Sequence, residues 1–477
     1  MTLSGVLTKL NKIGRSIAGG CLFWGAIFAA VGTPIIAATP AEELEEAQAF
    51  HIGSLAYLYG FPAVDMTQAM FNETHAASPE QRVLAPVNQF FRFRERVTPA
   101  TAGSLRAPNA DTLYLSGWFD LQSEPVIIRA PDTQGRYYTL AVTDFNSEVQ
   151  HVGRRTTGTA ARDFVLVGPA FVGNLPEGLH VVRVPTHRAW VLGRVMVGGQ
   201  DDLESARNIL ESFQAIGLSD WQRGITQTER STPPTAESVR LVDSLAFFET
   251  LNTWLRNNPR PPEEAALLAQ FDAVGFGPAR IFSAEQASAA TRRGLLRAIE
   301  SARQMLIATS RRPLSDIRRG WIFPLALGQY GYDYLMRATV AFSGYANLPE
   351  ETVYGALTSQ GSGVELSGAR RYILQFTADD APPVGAFWSI SAYRSRDYSL
   401  IENSLGRYSI GPHVSGFKTR ADGSFAIVVS REAPADDSVN WLPIDEEPFY
   451  LIMRMYEPAR AVLDGRYQPP AIEVLEP

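Results

Sequence analysis

Cysteine occurs once in this chain, at Cys21. A single thiol excludes intramolecular disulfides and a thiolate zinc site, so stability has to come from a packed core. Lysine is almost as scarce, present only as Lys9, Lys12 and Lys418. Arginine therefore carries nearly all positive charge; source-genome composition explains the bias, and bidentate carboxylate or phosphate recognition is the functional alternative. The six histidines, His51, His75, His151, His180, His187 and His413, show no H-E-x-x-H or comparable ligand spacing, so no metal is expected. Neither a G-x-S-x-G elbow nor a G-x-x-x-x-G-K-[ST] loop occurs. The S-x-x-K of Ser415–Lys418 lacks its companion motifs, and "VGFGPAR" has no third glycine. No cofactor is expected on these grounds. Acidic residues exceed basic ones, 50 to 43, giving a formal charge of −7. That balance argues against nucleic acid and anionic membrane surfaces as partners.

What is present is a globular composition, 45% hydrophobic and 19% charged, in 477 residues. A chain this long exceeds one ordinary core, so about two or three cooperative units are expected. The aromatic content, with 25 Phe, 17 Tyr and 8 Trp, favours broad β-surfaces and aromatic-lined pockets. The N-terminus reads as an export signal over residues 1–38. Lys9, Lys12 and Arg15 precede an uncharged run, and Ala37–Ala38 offer a cleavage site before Thr39. This makes the protein periplasmic or secreted; an uncleaved anchor in the inner membrane is the alternative, weakened by Pro34 and four glycines. The apolar stretch before Cys21 is too short for a lipoprotein site.

Residues 39–87 read as N-terminal helices, the first starting with acidic turns and ended or kinked by Gly60 and Pro62. Residues 88–200 turn to short alternating runs such as "PVIIRAPDTQGRYYTLAVTDF" and "AWVLGRVMV", a β-domain. Residues 201–348 are mostly helical and form a connector or arm, and residues 349–477 return to strands. The two β-regions resemble each other. "RYYTLAVTD" (Arg136–Asp144) lines up with "AFWSISAYR" (Ala386–Arg394), and "GRRTTG" (Gly153–Gly158) with "GRYSIG" (Gly406–Gly411). A duplicated unit, closed or doubled to hide its edges, accounts for both. The fold class is α+β, mainly β: tandem β-barrel or jelly-roll-like domains with an intervening helical segment.

These motifs resemble a known bacterial tandem. "PNADTLY…GWFDL…GRRTTG…FVLVGP" is similar to domain of unknown function 1254, and "AFWSISAYRSRDYSLIENSLGRYSIG" with "NWLPIDEEPFYLIMRMYEP" resembles domain of unknown function 1214. The resemblance implies tandem barrels with helical arms and carries no general activity.

The residues themselves nominate sites. Asn109 and Asp111 precede a strand, where an Asx-turn and a ligand-bearing loop are both natural readings. In "TDFNSEVQHVGRR", Asp144, Asn146 and Glu148 would share one face if the strand continued. His151 beside carboxylates is a candidate general base. The C-terminal counterpart offers Trp388, Tyr393, Arg394, Asn403 and Arg407, arginines beside aromatics that suit an anionic ligand. Catalytic candidates are then Asp111, Asp144, His151 and Arg407. Ligand-binding candidates are Asn109, Tyr114, Asn146, Trp388, Tyr393, Arg394 and Asn403. Two functions fit: a cofactor-independent, hydrolase-like enzyme on a small organic molecule at a barrel mouth, or a non-catalytic small-ligand-binding or assembly protein whose helical arms form a homo-oligomer.

Overall fold

The computed structural model describes residues 38–76, 85–102, 107–228, 231–310, 316–360 and 363–475. The expected export segment, residues 1–38, lies outside them up to residue 37. Among the described residues no helix is long and apolar enough to cross a membrane.

The first β-region supplies β1 (Phe91–Phe93), β2 (Thr112–Asp120), β3 (Val126–Ala130), β4 (Tyr138–Asp144) and β5 (Val149–Gly153). It continues with β6 (Arg162–Val167), β7 (His180–Arg183), β8 (Arg188–Met196) and β9 (Gln214–Gly217). The second supplies β10 (Asp316–Arg318), β11 (Trp321–Phe323), β12 (Thr352–Leu357), β13 (Leu366–Ser367), β14 (Arg371–Phe376) and β15 (Trp388–Arg394). It ends with β16 (Ser409–Ile410), β17 (Phe425–Ser430), β18 (Asn440–Pro443), β19 (Pro448–Tyr456) and β20 (Ile472–Leu475). The helices are α1 (Pro40–Thr74), α2 (Arg154–Thr157), α3 (Leu203–Ser212), α4 (Leu218–Gln222) and α5 (Ala246–Asn257). They continue as α6 (Ala265–Asp272), α7 (Ala289–Ser310), α8 (Tyr334–Ser343) and α9 (Arg460–Leu463).

The sheets repeat. The order β1-β2-β8-β4-β5 in the first half is matched by β10-β11-β12-β19-β15-β16 in the second, where β13 also pairs with β19. Likewise β7-β6-β3-β9 is matched by β18-β17-β14-β20, with a parallel pair at the same place in each. The large and small sheets of each half pack face to face. Leu113, Leu140 and Val191 meet Val126, Phe164 and Val182 in the first core, and Val353, Ile390 and Met453 meet Leu374, Ile427 and Leu442 in the second.

The expectation of barrels is corrected by this topology: among the described residues no sheet closes on itself. Each half is an open two-sheet sandwich. Its edges are managed by shortness, three residues in β1 and two in β16, so closure is not needed to hide them. The first sandwich also runs past residue 200, since β9 pairs with β3 and α3 closes the core through Leu203, Ala206 and Leu210.

The register tests the internal resemblance. Thr139 lies opposite Arg194 and Ser389 opposite Arg454, so "RYYTLAVTD" and "AFWSISAYR" are equivalent strands, as aligned. The glycine alignment shifts. Gly153 pairs with Thr139, and Ile410 pairs with Ile390, so Gly411 rather than Gly406 is the partner of Gly153. A Cβ on Gly153 would sit 2.5 Å from the Tyr138 carbonyl oxygen, and one on Gly411 would sit 2.2 Å from that of Trp388. Both positions need glycine because the equivalent backbone crosses there.

The helices α1, α5, α6, α7 and α8 share a third core around Tyr57, Phe247, Leu251, Phe271 and Leu295. α1 does not end at Gly60 and Pro62 but continues to Thr74. Both residues are buried in this core, where packing outweighs the hydrogen bond that Pro62 cannot donate. Gly60 is required for contact: a Cβ there would meet Leu251 Cδ1 at 2.5 Å.

One buried acid makes this helical layer pH-sensitive. Asp65 on α1 accepts a 2.9 Å bond from the Tyr345 hydroxyl, and burial pushes its carboxyl up to about 6. A raised folded-state value stabilises the protonated form. The contribution is therefore complete below about pH 4 and lost as pH rises through about 6. Asp65→Asn, which keeps the acceptor, is expected to raise Tm at pH 8 by about 2–4 °C. The gap should vanish at pH 4, as melting curves across that window will show.

Candidate functional site

The opening turn before β2 is structural and something more. Asn109 Oδ1 accepts from the Asp111 amide at 2.7 Å, the expected Asx-turn, while its amide nitrogen donates to the Tyr456 hydroxyl at 2.5 Å. Asp111, only 1% exposed, points across into the second sandwich. It accepts from Ser389 Oγ at 2.6 Å and from Ser409 Oγ, with His413 Nε2 3.4 Å away. Burial alone would raise its carboxyl, but His413, Arg454 and the Ser389 hydroxyl outweigh it and hold the group down at about 2.

The second half returns the gesture. Glu351 occupies the same place ahead of β12, since Tyr114 lies opposite Arg194 as Tyr354 does opposite Arg454. It reaches into the first sandwich, accepting from Tyr137 OH at 2.8 Å and pairing with Arg155 at 2.7 Å. Each sandwich thus lends a carboxylate to the other. Beside that pair, Arg154 bonds Glu457 and the Gly385 carbonyl.

Between these exchanges lie two arginines on the central strands of the large sheets. Arg454 is 2% exposed; it donates to Ser391 Oγ at 3.3 Å and to the Ala107 carbonyl at 2.9 Å. Its guanidinium lies 5.5 Å from the Tyr393 ring centre, and Asp111 supplies nearby negative charge. Arg194 is the equivalent group on β8, and its surroundings differ. It lies 5.4 Å from the Tyr114 ring centre and donates to Asn347 Oδ1 at 3.1 Å. Its Nε has no partner, and among the described residues no carboxylate lies within ion-pair distance. Glu351, which the repeat would assign to it, is taken by Arg155.

The outer faces of both large sheets carry partly accessible residues here: Tyr114, Trp190, Leu192 and Arg194 on the first, Tyr354, Ala356 and Ile452 on the second. Burial pushes the Tyr137 and Tyr456 phenols well above their ordinary value, so both stay protonated. His151, on β5, bonds Thr139 Oγ1 at 3.1 Å and accepts from the Leu348 amide at 3.3 Å. Burial, then Arg194 and Arg155, lower it to about 3. It is neutral at ordinary pH and a weak base.

The fold brings together Asn109, Asp111, Tyr114, His151 and Tyr393, whose hydroxyl donates to the Pro108 carbonyl at 2.7 Å. Others lie elsewhere. Asp144, Asn146 and Glu148 do not share a strand face, because β4 ends at Asp144 and Ser147 turns back at a φ of 67°. Asp144 accepts from the Asn146 and Glu148 amides, and burial pushes it up to about 6. Asn146 then bonds Arg260, and Glu148 pairs with Arg337, tying the sandwich to the helical layer. Trp388 faces the second core, stacked on Phe376 and Phe425. Arg394 pairs with Asp445, and Asn403 braces its own loop through the Ile401 and Arg407 carbonyls. Arg407 is exposed and holds the Trp441 carbonyl. Among the described residues no group of three His, Cys, Asp or Glu is placed to hold a metal.

Family models match in two places: "Protein of unknown function (DUF1254)" over residues 87–216 and "Protein of unknown function (DUF1214)" over residues 351–460. The chain belongs to this tandem family. The two matches coincide with the two repeated sandwiches, so the tandem is also a structural duplication. The VPA0106 protein from Vibrio parahaemolyticus is similar over 90% of this chain and 100% of its own, at 25% identity and a TM-score of 0.68. An uncharacterised protein from Burkholderia cenocepacia is 13% identical, covering 91% and 96%, with a TM-score of 0.42. No curated protein matches the chain.

Sequence reasoning missed Arg194, Arg454, Glu351 and His413. A signal existed: "VLGRVM" and "LIMRMY" each place an arginine inside an apolar strand, where a charge is costly unless it is used.

Proposed function

We propose that the chain binds a small organic carboxylate between its two sandwiches, seated on Arg194. The observation that carries this reading is the guanidinium itself, at the domain interface with a carboxamide oxygen as its one hydrogen-bond acceptor among the described residues. Such a charge is expensive unless an anion completes it, and the planar fork suits a carboxylate bidentately. The local balance agrees. Arg154, Arg155, Arg194 and Arg454 face Asp111, Glu351 and Glu457, leaving one positive charge in excess.

The binding reading is favoured over the hydrolase-like one. Ser389 and Ser409 donate directly to Asp111, not to a histidine, so neither is arranged as an activated nucleophile. With export through the N-terminal segment, the protein would act as a periplasmic binder of organic acids.

Phenylacetate and its neutral amide separate the cases. The acid should raise Tm at pH 7, by the equivalent of about 2.7 kcal/mol at a hundredfold excess over Kd, and the amide should not. Equal shifts for both would remove the charge argument, and a shift surviving in Arg194→Met would remove the residue assignment.

A further inference from the structure

We infer that a cavity of about 280 Å³ beside α5, outside the interdomain site, is a second binding site for a small uncharged polyol of monosaccharide size. Its walls come from α5, from Thr67 on α1, from Phe145 after β4 and from the His187–Arg188 start of β8. It therefore lies where the helical layer meets the first sandwich. Its volume falls just below the usual range for drug-sized ligands, which suits a compact guest.

The lining sets the chemistry. Gln122, Thr250, Thr253 and Asn257 present hydroxyls and carboxamides, groups that exchange hydrogen bonds with alcohols in either direction. The two charged lining residues are already engaged. Glu249 accepts from the Ala284 amide at 2.8 Å, and Arg188 lies 3.6 Å from Asp120. They are of opposite sign, so the cavity offers no net charge to a guest. An anion, the ligand of the interdomain site, gains nothing here.

The same wall also holds unpaired polar groups. Trp254, only 8% exposed, has an indole N–H with no acceptor among the described residues, and His187 Nδ1 in the same wall has no hydrogen-bond partner among them. Arg260 covers the Trp254 ring at 4.6 Å and fixes its orientation. Buried polar atoms are rarely left unpaired. The Trp254 side chain itself lines the cavity and so reports on a guest.

Indole-labelled protein reads this directly, with Trp254→Phe assigning its resonance. Titration with methyl α-glucoside should move the Trp254 signal saturably at millimolar concentration, leaving the other tryptophans in place. Phenylacetate should not move it. Thr250→Leu, which fills the cavity, should abolish the response, and Asn257→Leu on the same helix provides a second block if the first variant folds poorly. No saturable movement with the glucoside, or a response that survives both blocks, overturns the site. Neither outcome bears on Arg194.

Discussion

Replacing Asp111 by alanine is expected to destabilise the protein by about 3–5 kcal/mol, the cost of breaking a buried ion pair by removing one partner. The carboxylate is the only acceptor recorded for Ser389 Oγ and Ser409 Oγ among the described residues, and it is the nearby negative charge for Arg454. Its loss strands all three in the interface. The pH dependence follows from a depressed folded-state value. The stabilisation is present above the unfolded value near 4 and is lost as pH falls through about 2. Urea melts should therefore show the full deficit of the variant at pH 7 and at pH 5, narrowing only below about pH 4. Asp111→Asn keeps acceptor geometry for one serine and should fall between. A variant as stable as wild type would mean that the turn, with Asn109, is all this segment contributes.

The strands were legible in the sequence because strand alternation and turn residues are local properties, and the repeat was legible through "RYYTLAVTD" and "AFWSISAYR". Closure was not. Whether a sheet curls into a barrel depends on its edges, and β1 and β16 are too short to leave a pattern. The glycine misalignment has a similar origin. Gly153 and Gly411 are set by a backbone crossing that is a contact between strands, invisible to a comparison of neighbouring residues. Asp144, Asn146 and Glu148 would have shared a face only if the strand continued, and the chain turns back at Ser147, where Asn and Ser favour a turn. The site was half legible. Asn109 and Asp111 stood out as polar groups beside a strand. Their partners Ser389, Ser409 and His413 lie far along the chain, and only the duplication brings them across.

That duplication also explains why the two arginines differ. Each sandwich inserts the acid ahead of its β2-type strand into the other, Asp111 in one direction and Glu351 in the reverse. In the second half the receiving position of the gesture is a histidine, His413, and Asp111 remains available to balance Arg454. In the first half it is Arg155, which captures Glu351 and leaves Arg194 without it. The receiving partners differ at several equivalent positions, Arg155 for His413, His151 for Ser409 and Tyr137 for Phe387, and in the first half they hold the acid away from the central arginine.

Arg194→Met should therefore behave unlike an ordinary interface mutation. Removing an uncompensated charge in favour of an apolar side chain of similar length is expected to stabilise the ligand-free protein by about 1–3 kcal/mol, within the range seen when buried ions are replaced by hydrophobic residues. The loss of one bond to Asn347 is minor beside this, since its amide still donates to the Tyr354 hydroxyl at 2.9 Å. Carboxylate binding should fall at least a hundredfold, about 2.7 kcal/mol, because the bidentate contact disappears. The opposite signs are the point of the experiment. A residue held for the fold loses stability when removed; a residue held for a ligand gives stability back and loses the ligand. Calorimetric melts of wild type and variant, with and without phenylacetate, place Arg194 in one class or the other, and a destabilised variant that still binds would assign the guanidinium to the fold.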